Sequence, residues 1–115
     1  MDRRIELVII KLEADTSRAW DAPALGKLVN LSASRFRHLF KQETGTSPRE
    51  YLREVRFRKA EVMLATTFLS IKEVAESVGL MPVNHFMRNF KKRHGLTPGE
   101  YRIAARLAQK LKKKQ

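Results

Sequence analysis

Val74 to Tyr101 reads V-A-E-S-V-G-L-M-P-V-N-H-F-M-R-N-F-K-K-R-H-G-L-T-P-G-E-Y. Val74, Ala75 and Val78 recur at helical spacing, and Gly79 then supplies the positive φ that closes a helix. Pro82 suits the first turn of a new helix, where its missing N–H would be unpaired anyway. Phe86 and Phe90 share one face of that helix, while Asn84, Arg88 and Lys91 lie on another. A short helix, a glycine turn and a second helix with one aromatic and one basic polar face make a helix-turn-helix.

The same text occurs earlier in the chain. Phe36, Phe40, Lys41, Gly45, Pro48, Glu50 and Tyr51 return as Phe86, Phe90, Lys91, Gly95, Pro98, Glu100 and Tyr101 at a constant offset of 50. Upstream the register is one residue shorter, with Leu25 and Leu31 matching Val74 and Leu80. The chain therefore contains two copies of one unit.

Composition narrows the classes. A hydrophobic content of 43% in 115 residues is enough for a core. The absence of cysteine excludes disulfides, zinc-thiolate sites and thiol chemistry. No apolar run approaches the roughly 20 residues that span a bilayer, and no signal-peptide pattern opens the chain, so a cytosolic protein is expected. The net charge of +12 is uneven: Met81 to Gln115 holds ten Lys/Arg against the single acid Glu100. Such a field favours polyanions, nucleic acid first and an anionic membrane surface second.

Taken in order, Asp2 caps a first helix to about Ala14, with Ile5, Val8, Ile9 and Leu12 as its apolar stripe. Asp15-Thr16-Ser17 breaks it, and Trp20 anchors the loop on the core. Asp21 caps a helix over Ala24–Val29 that buries Leu25, Leu28 and Val29, and Asn30 takes the left-handed turn that Gly79 holds in the second copy. Ser32 caps the next helix, to about Glu43. Its face Ser34, Arg37, His38 and Lys41, spaced i, i+3, i+4 and i+7, reads either as a solvated basic surface or as a DNA-contacting one. Its place after the turn, and its duplication, favour the second. His38 has no second ligand at metal-binding spacing, and no metal or cofactor is expected.

Ser47-Pro48 starts a longer helix to about Ala65 or Thr66, a spacer able to hold the two units about 25–30 Å apart. Its Arg49, Arg53, Arg56, Arg58 and Lys59 read as mostly solvated or paired with Glu50, Glu54 and Glu61, with one or two left for phosphates. Ser70 and Glu73 form a capping box before Ile71–Val78. A helix from Pro82 to about Arg93 follows, and Thr97-Pro98 opens the last one, with Lys110 to Gln115 as a frayed basic tail. The expected fold is all-α: two helix-turn-helix subdomains, residues 1–46 and 67–115, joined by a linker helix at 47–66, with about seven helices in total.

The chain resembles the DNA-binding domain of the AraC/XylS family over about Ile5 to Leu107. The second unit carries Ile71, Val74-Ala75, Val78-Gly79-Leu80, Phe86, Phe90-Lys91, Gly95, Thr97-Pro98 and Tyr101-Arg102. The first carries Leu25, Leu31-Ser32, Phe40-Lys41, Gly45, Ser47-Pro48 and Tyr51, followed by Arg56 and Ala60. By position, the resemblance implies base reading by Ser34, Arg37 and His38 from one helix and by Val83, Asn84, Met87 and Arg88 from the other. Phosphate contacts are expected from Arg35, Lys41, Ser47, His85, Lys91, Lys92 and Arg93. Gly26 stands where the family prefers alanine, which is expected to loosen that helix by about 1 kcal/mol. Leu80 replaces a usual phenylalanine and Met81 a usual capping residue, so the second recognition helix is expected to start loosely.

The function so implied is sequence-specific binding of double-stranded DNA by a transcription regulator, with two helices (about 33–43 and 82–93) in successive major grooves about 34 Å apart. Activation through RNA polymerase, a location in the bacterial cytosol on the nucleoid, and a sensing or dimerisation domain absent from this chain belong to the same expectation. The chain is then a stand-alone short regulator or a fragment. The alternative is a non-specific or architectural nucleic-acid binder, although its aromatics are spent on the core rather than on a stacking platform. An enzyme is not expected, because His38, His85 and His94 have no nucleophile or carboxylate arranged with them.

Overall fold

A computed structural model describes residues 1–114; Gln115, expected in the basic tail, lies outside the described residues. Among these the chain forms seven helices and no strand: α1 (Arg3–Ala14), α2 (Ala22–Leu28), α3 (Ala33–Thr44), α4 (Pro48–Thr66), α5 (Ile71–Val78), α6 (Val83–His94) and α7 (Pro98–Lys113). They divide into two compact units, residues 1–56 and residues from 57 onward, with the boundary inside α4. No described helix is long and apolar enough to cross a membrane.

Local chemistry sets the helix starts. Asp2, Asp21 and Ser32 accept from the backbone N–H of Arg4, Ala24 and Arg35 at 2.8, 2.9 and 3.2 Å. Ser70 with Glu73 and Thr97 with Glu100 form reciprocal capping boxes. Hydrogen bonds from the capping residues hold both glutamates below the ordinary carboxylate range. The turns close as the sequence requires, with φ of 80, 88 and 75° at Gly45, Gly79 and Gly95, and 64° at Asn30.

Four expectations are corrected. Pro82 is the N-cap of α6 rather than part of its first turn, the Met81–Pro82 peptide is cis, and the cap makes no side-chain hydrogen bond. Leu28 is exposed, because α2 ends there and only Leu25 and Gly26 turn fully inward. The frayed basic tail is helical as far as Lys113, since nothing from Thr97 onward but Gly99 weakens the helix. Arg56 is neither solvated nor paired with glutamate, as described below.

Each unit has its own core. In the first, Ile5, Val8 and Leu12 of α1 meet Leu25, Phe36, Phe40 and Leu52. In the second, Phe57, Ala60 and Leu64 meet Val74, Ala75, Val78, Phe86 and Phe90. The duplication reaches ring geometry. Phe40 meets Tyr51 edge-on at 5.4 Å and 81°, and Phe90 meets Tyr101 at 5.2 Å and 80°. Trp20 anchors its loop as expected: its indole N–H donates to the Asp15 carbonyl at 2.7 Å, and the Arg18 guanidinium lies 4.7 Å from the ring centroid.

Arginines stitch the loops down. Arg56 donates to the Thr16 and Arg18 carbonyls at 2.8 and 2.9 Å, and burial lowers its pKa. Arg106, which follows Arg56 by the same offset of 50, donates to the Thr67 carbonyl. Arg102 bridges the Leu64 and Leu69 carbonyls at 3.0 and 2.5 Å. Buried carbonyls in irregular backbone need donors, and a guanidinium supplies several in one plane.

Gly26 is not a loosened alanine. Its carbonyl accepts from Leu31 N–H at 2.9 Å, and a Cβ added there would lie 2.5 Å from the Leu31 carbonyl oxygen. In the second copy Ala75 accepts from Leu80 at 2.8 Å, so that turn accommodates an alanine, whereas at Gly26 the Leu31 carbonyl oxygen occupies the place of a Cβ. Gly26→Ala is therefore expected to be net destabilising by about 1–2 kcal/mol, with backbone displacement outweighing the gain in helix propensity. A higher denaturant midpoint for Gly26→Ala would contradict this.

Candidate nucleic-acid interface

The aromatic faces of α3 and α6 are consumed by the two cores, so their opposite faces are fixed toward solvent. On α3, Ser34, Arg35, Arg37, His38 and Lys41 are all exposed. Gln42 is exposed beside them and shares a shallow depression with Arg37, His38 and Lys41. No acid is among the residues lining it, and Arg37 has no partner among the described residues, which leaves its five N–H donors available.

A second hollow of the same unit, about 560 Å³, includes Arg37, Ser47, Arg49 and Trp20 in its wall. Ser47 Oγ accepts from Glu50 N–H at 3.2 Å and so caps α4, leaving its own hydroxyl proton free to donate outward. Arg49 is exposed with no partner among the described residues, whereas Arg56 at the same hollow is committed to carbonyls. Gln42 was not among the expected site residues, and Arg49 stood only among the linker-helix cations of which one or two were left for phosphates. The signal for Arg49 was its position directly after Ser47-Pro48; Gln42 had only its place one residue after Lys41.

On α6, Asn84, His85, Met87, Arg88, Lys91 and Lys92 are exposed, and Arg88 has no partner among the described residues. Two expected members are placed elsewhere. Val83 packs half-buried against the second core. Arg93 turns back onto α4: its Nε is 3.9 Å from Glu61 Oε1, and its guanidinium lies 4.7 Å from the Phe57 ring centroid. Spacing put Arg93 with Lys91 and Lys92, but a cation near the aromatic end of the helix finds a carboxylate and a ring at closer range. His94 also turns inward. Contrary to the expectation that no carboxylate is arranged with it, its Nε2 lies 2.8 Å from the same Glu61 oxygen, off the line of a good hydrogen bond, and its ring lies tilted 4.2 Å from Phe90.

The arrangement is two repeat-related helices, each presenting an arginine with no partner among the described residues, set among short or flexible side chains. A family model for a helix-turn-helix domain matches residues 25–104. The chain belongs to the AraC family of helix-turn-helix transcription regulators. It is 31% identical over 101 residues to the HTH-type transcriptional regulator MtrA of Neisseria gonorrhoeae, covering 88% of this chain and 34% of that protein. The chain thus spans about a third of the length of the curated relatives it matches. Among solved structures it is similar to the C-terminal domain of the two-component response regulator yesN from Fusobacterium nucleatum, with a TM-score of 0.80, 32% identity, and coverage of 88% of this chain and 99% of that one. It is also similar to the DNA-binding domain of the global transcriptional factor AdpA, solved in complex with a target DNA. That match has a TM-score of 0.84 and 25% identity, and covers 91% of this chain and 95% of that one. These likenesses show that the all-α fold is that of AraC-type DNA-binding domains.

Proposed function

We propose that this AraC-family chain binds specific double-stranded DNA as the DNA-reading part of a transcription regulator, with α3 and α6 in successive major grooves. The observation that carries it is the repeated outer face: Arg37 on α3 and Arg88 on α6, each without a partner among the described residues and each following Phe36 or Phe86 by one or two residues. Arg37 and Arg88 fork onto guanine O6/N7, Asn84 pairs with adenine N6/N7, and Ser34 and His38 reach neighbouring edges. Met87 contributes apolar contact with a thymine methyl or a sugar.

Lys41, Lys91, Lys92, Arg35, His85, Ser47 and Arg49 hold the phosphates. Val83 and Arg93 serve the core and α4 instead. In this reading residues 1–46 and 67–115 each carry one reading helix, and 47–66 connect them. RNA polymerase and a sensing or dimerisation domain are the partners implied, the site of action is the nucleoid in the cytoplasm, and no catalytic step is involved.

Site selection from a random duplex library, followed by titration of the chosen site across a salt series, tests this. Two short preferred blocks about one helical turn apart are the expected result. No enrichment, with a steep salt dependence, would leave only phosphate attraction and would favour a non-specific architectural binder.

A further inference from the structure

The last helix is amphipathic in the opposite sense to the other six. It packs into its unit through Tyr101, Arg102, Ala105 and Arg106, with both arginines donating to backbone carbonyls. Its aliphatic residues face outward: Ile103, Leu107 and Leu111 are 69%, 56% and 59% exposed at spacing i, i+4 and i+8. Ala104 and Ala108 are exposed beside them. Phe68, 92% exposed, lies at the edge of this face under the Arg106 guanidinium, 4.4 Å from its ring centroid. Solvent-facing leucines at helical spacing leave apolar area unburied, the usual mark of a docking surface.

Charge decides what docks. Tyr101 to Gln115 contains six Lys/Arg and no acid, and Lys110, Lys112, Lys113 and Lys114 are all exposed around the stripe. A second copy would bring the same cations against them. A lipid surface fits less well, because the stripe covers only about 12 Å of helix and has no Trp or Phe of its own. We infer that the outer face of α7 is a docking surface for an acidic amphipathic helix of a partner protein. Leucine-sized anchors of that helix would lie between Ile103, Leu107 and Leu111, and its flanking carboxylates would meet the lysines. The surface shares no residue with the exposed faces of α3 and α6 and does not depend on the DNA-binding reading.

The probe is a fluorescein-labelled synthetic helix of about three heptads with leucine at a and d and glutamate at the flanking positions. Its twin carries lysine in place of glutamate. Anisotropy titrations against the full chain are expected to show saturable binding of the glutamate peptide and at least about tenfold weaker binding of the twin. The Leu107→Ser/Leu111→Ser variant should weaken the glutamate peptide at least about tenfold. Both leucines are exposed, so the far-UV spectrum and the affinity for duplex DNA should be unchanged in that variant. Equal binding of the glutamate peptide by the wild type and the double variant would overturn the inference. So would loss by the double variant only of binding to phosphatidylglycerol vesicles, which would assign the face to a membrane. A wild-type dimer in sedimentation that the double variant abolishes would assign it to a second copy and overturn it likewise.

Discussion

Phe90→Ala is expected to destabilise the second unit by about 3–5 kcal/mol. Phe90 is fully buried in the second core. Its ring lies 5.6 Å from Phe86, 6.4 Å from Phe57, 5.2 Å from Tyr101 and 4.2 Å from the His94 imidazole. Alanine would remove the apolar area and leave a cavity flanked by three aromatic rings and an imidazole, too rigid to collapse into it. Such a loss is comparable to the whole stability of a unit this small. The sole tryptophan, Trp20, belongs to the first core, whereas far-UV dichroism reports all seven helices. In urea, dichroism of Phe90→Ala should gain an early phase while Trp20 fluorescence keeps a near-native midpoint. Early transitions that coincide for both probes would mean that the continuous α4 ties the cores into one cooperative system.

Much of the fold was legible because its signals are local. Capping residues, left-handed glycines and aromatics four apart act within one or two turns, and the duplicated text gave two independent readings of each. Gly26 was misread for a complementary reason. Helix propensity describes a residue against water, but what constrains Gly26 is the Leu31 carbonyl oxygen, brought near by a turn whose tightness no propensity encodes. The arginines show the same limit. Arg56 looked like one more solvated cation, yet it holds the carbonyls of Thr16 and Arg18, 40 and 38 residues away in sequence. The face of α3 was legible by periodicity, since Phe36 and Phe40 fix what lies opposite them. Val83 and Arg93 were not, because each sits at the margin of a face, where the neighbouring element decides.

Arg37→Ala combined with Arg88→Ala is expected to remove the guanine part of sequence discrimination while leaving general DNA affinity largely in place. Each arginine, forked on one guanine, contributes about 1–3 kcal/mol of discrimination. The two residues belong to different units and share no partner, so their losses should add, to about 2–6 kcal/mol. On the selected site that is roughly a 30-fold to more than 10,000-fold loss, and on random duplex little change. The matching control is Lys41→Ala with Lys92→Ala. That pair should weaken selected and random duplexes alike and flatten the log–log salt slope by about 0.9 for each phosphate no longer neutralised. The two double variants therefore separate reading from holding. A uniform loss for the arginine pair, with its selected motif unchanged, would make Arg37 and Arg88 phosphate ligands and leave base reading to Ser34, His38, Asn84 and Met87. Retained discrimination with unchanged affinity would mean that neither arginine faces DNA, and the outer faces of α3 and α6 would lose their assigned role.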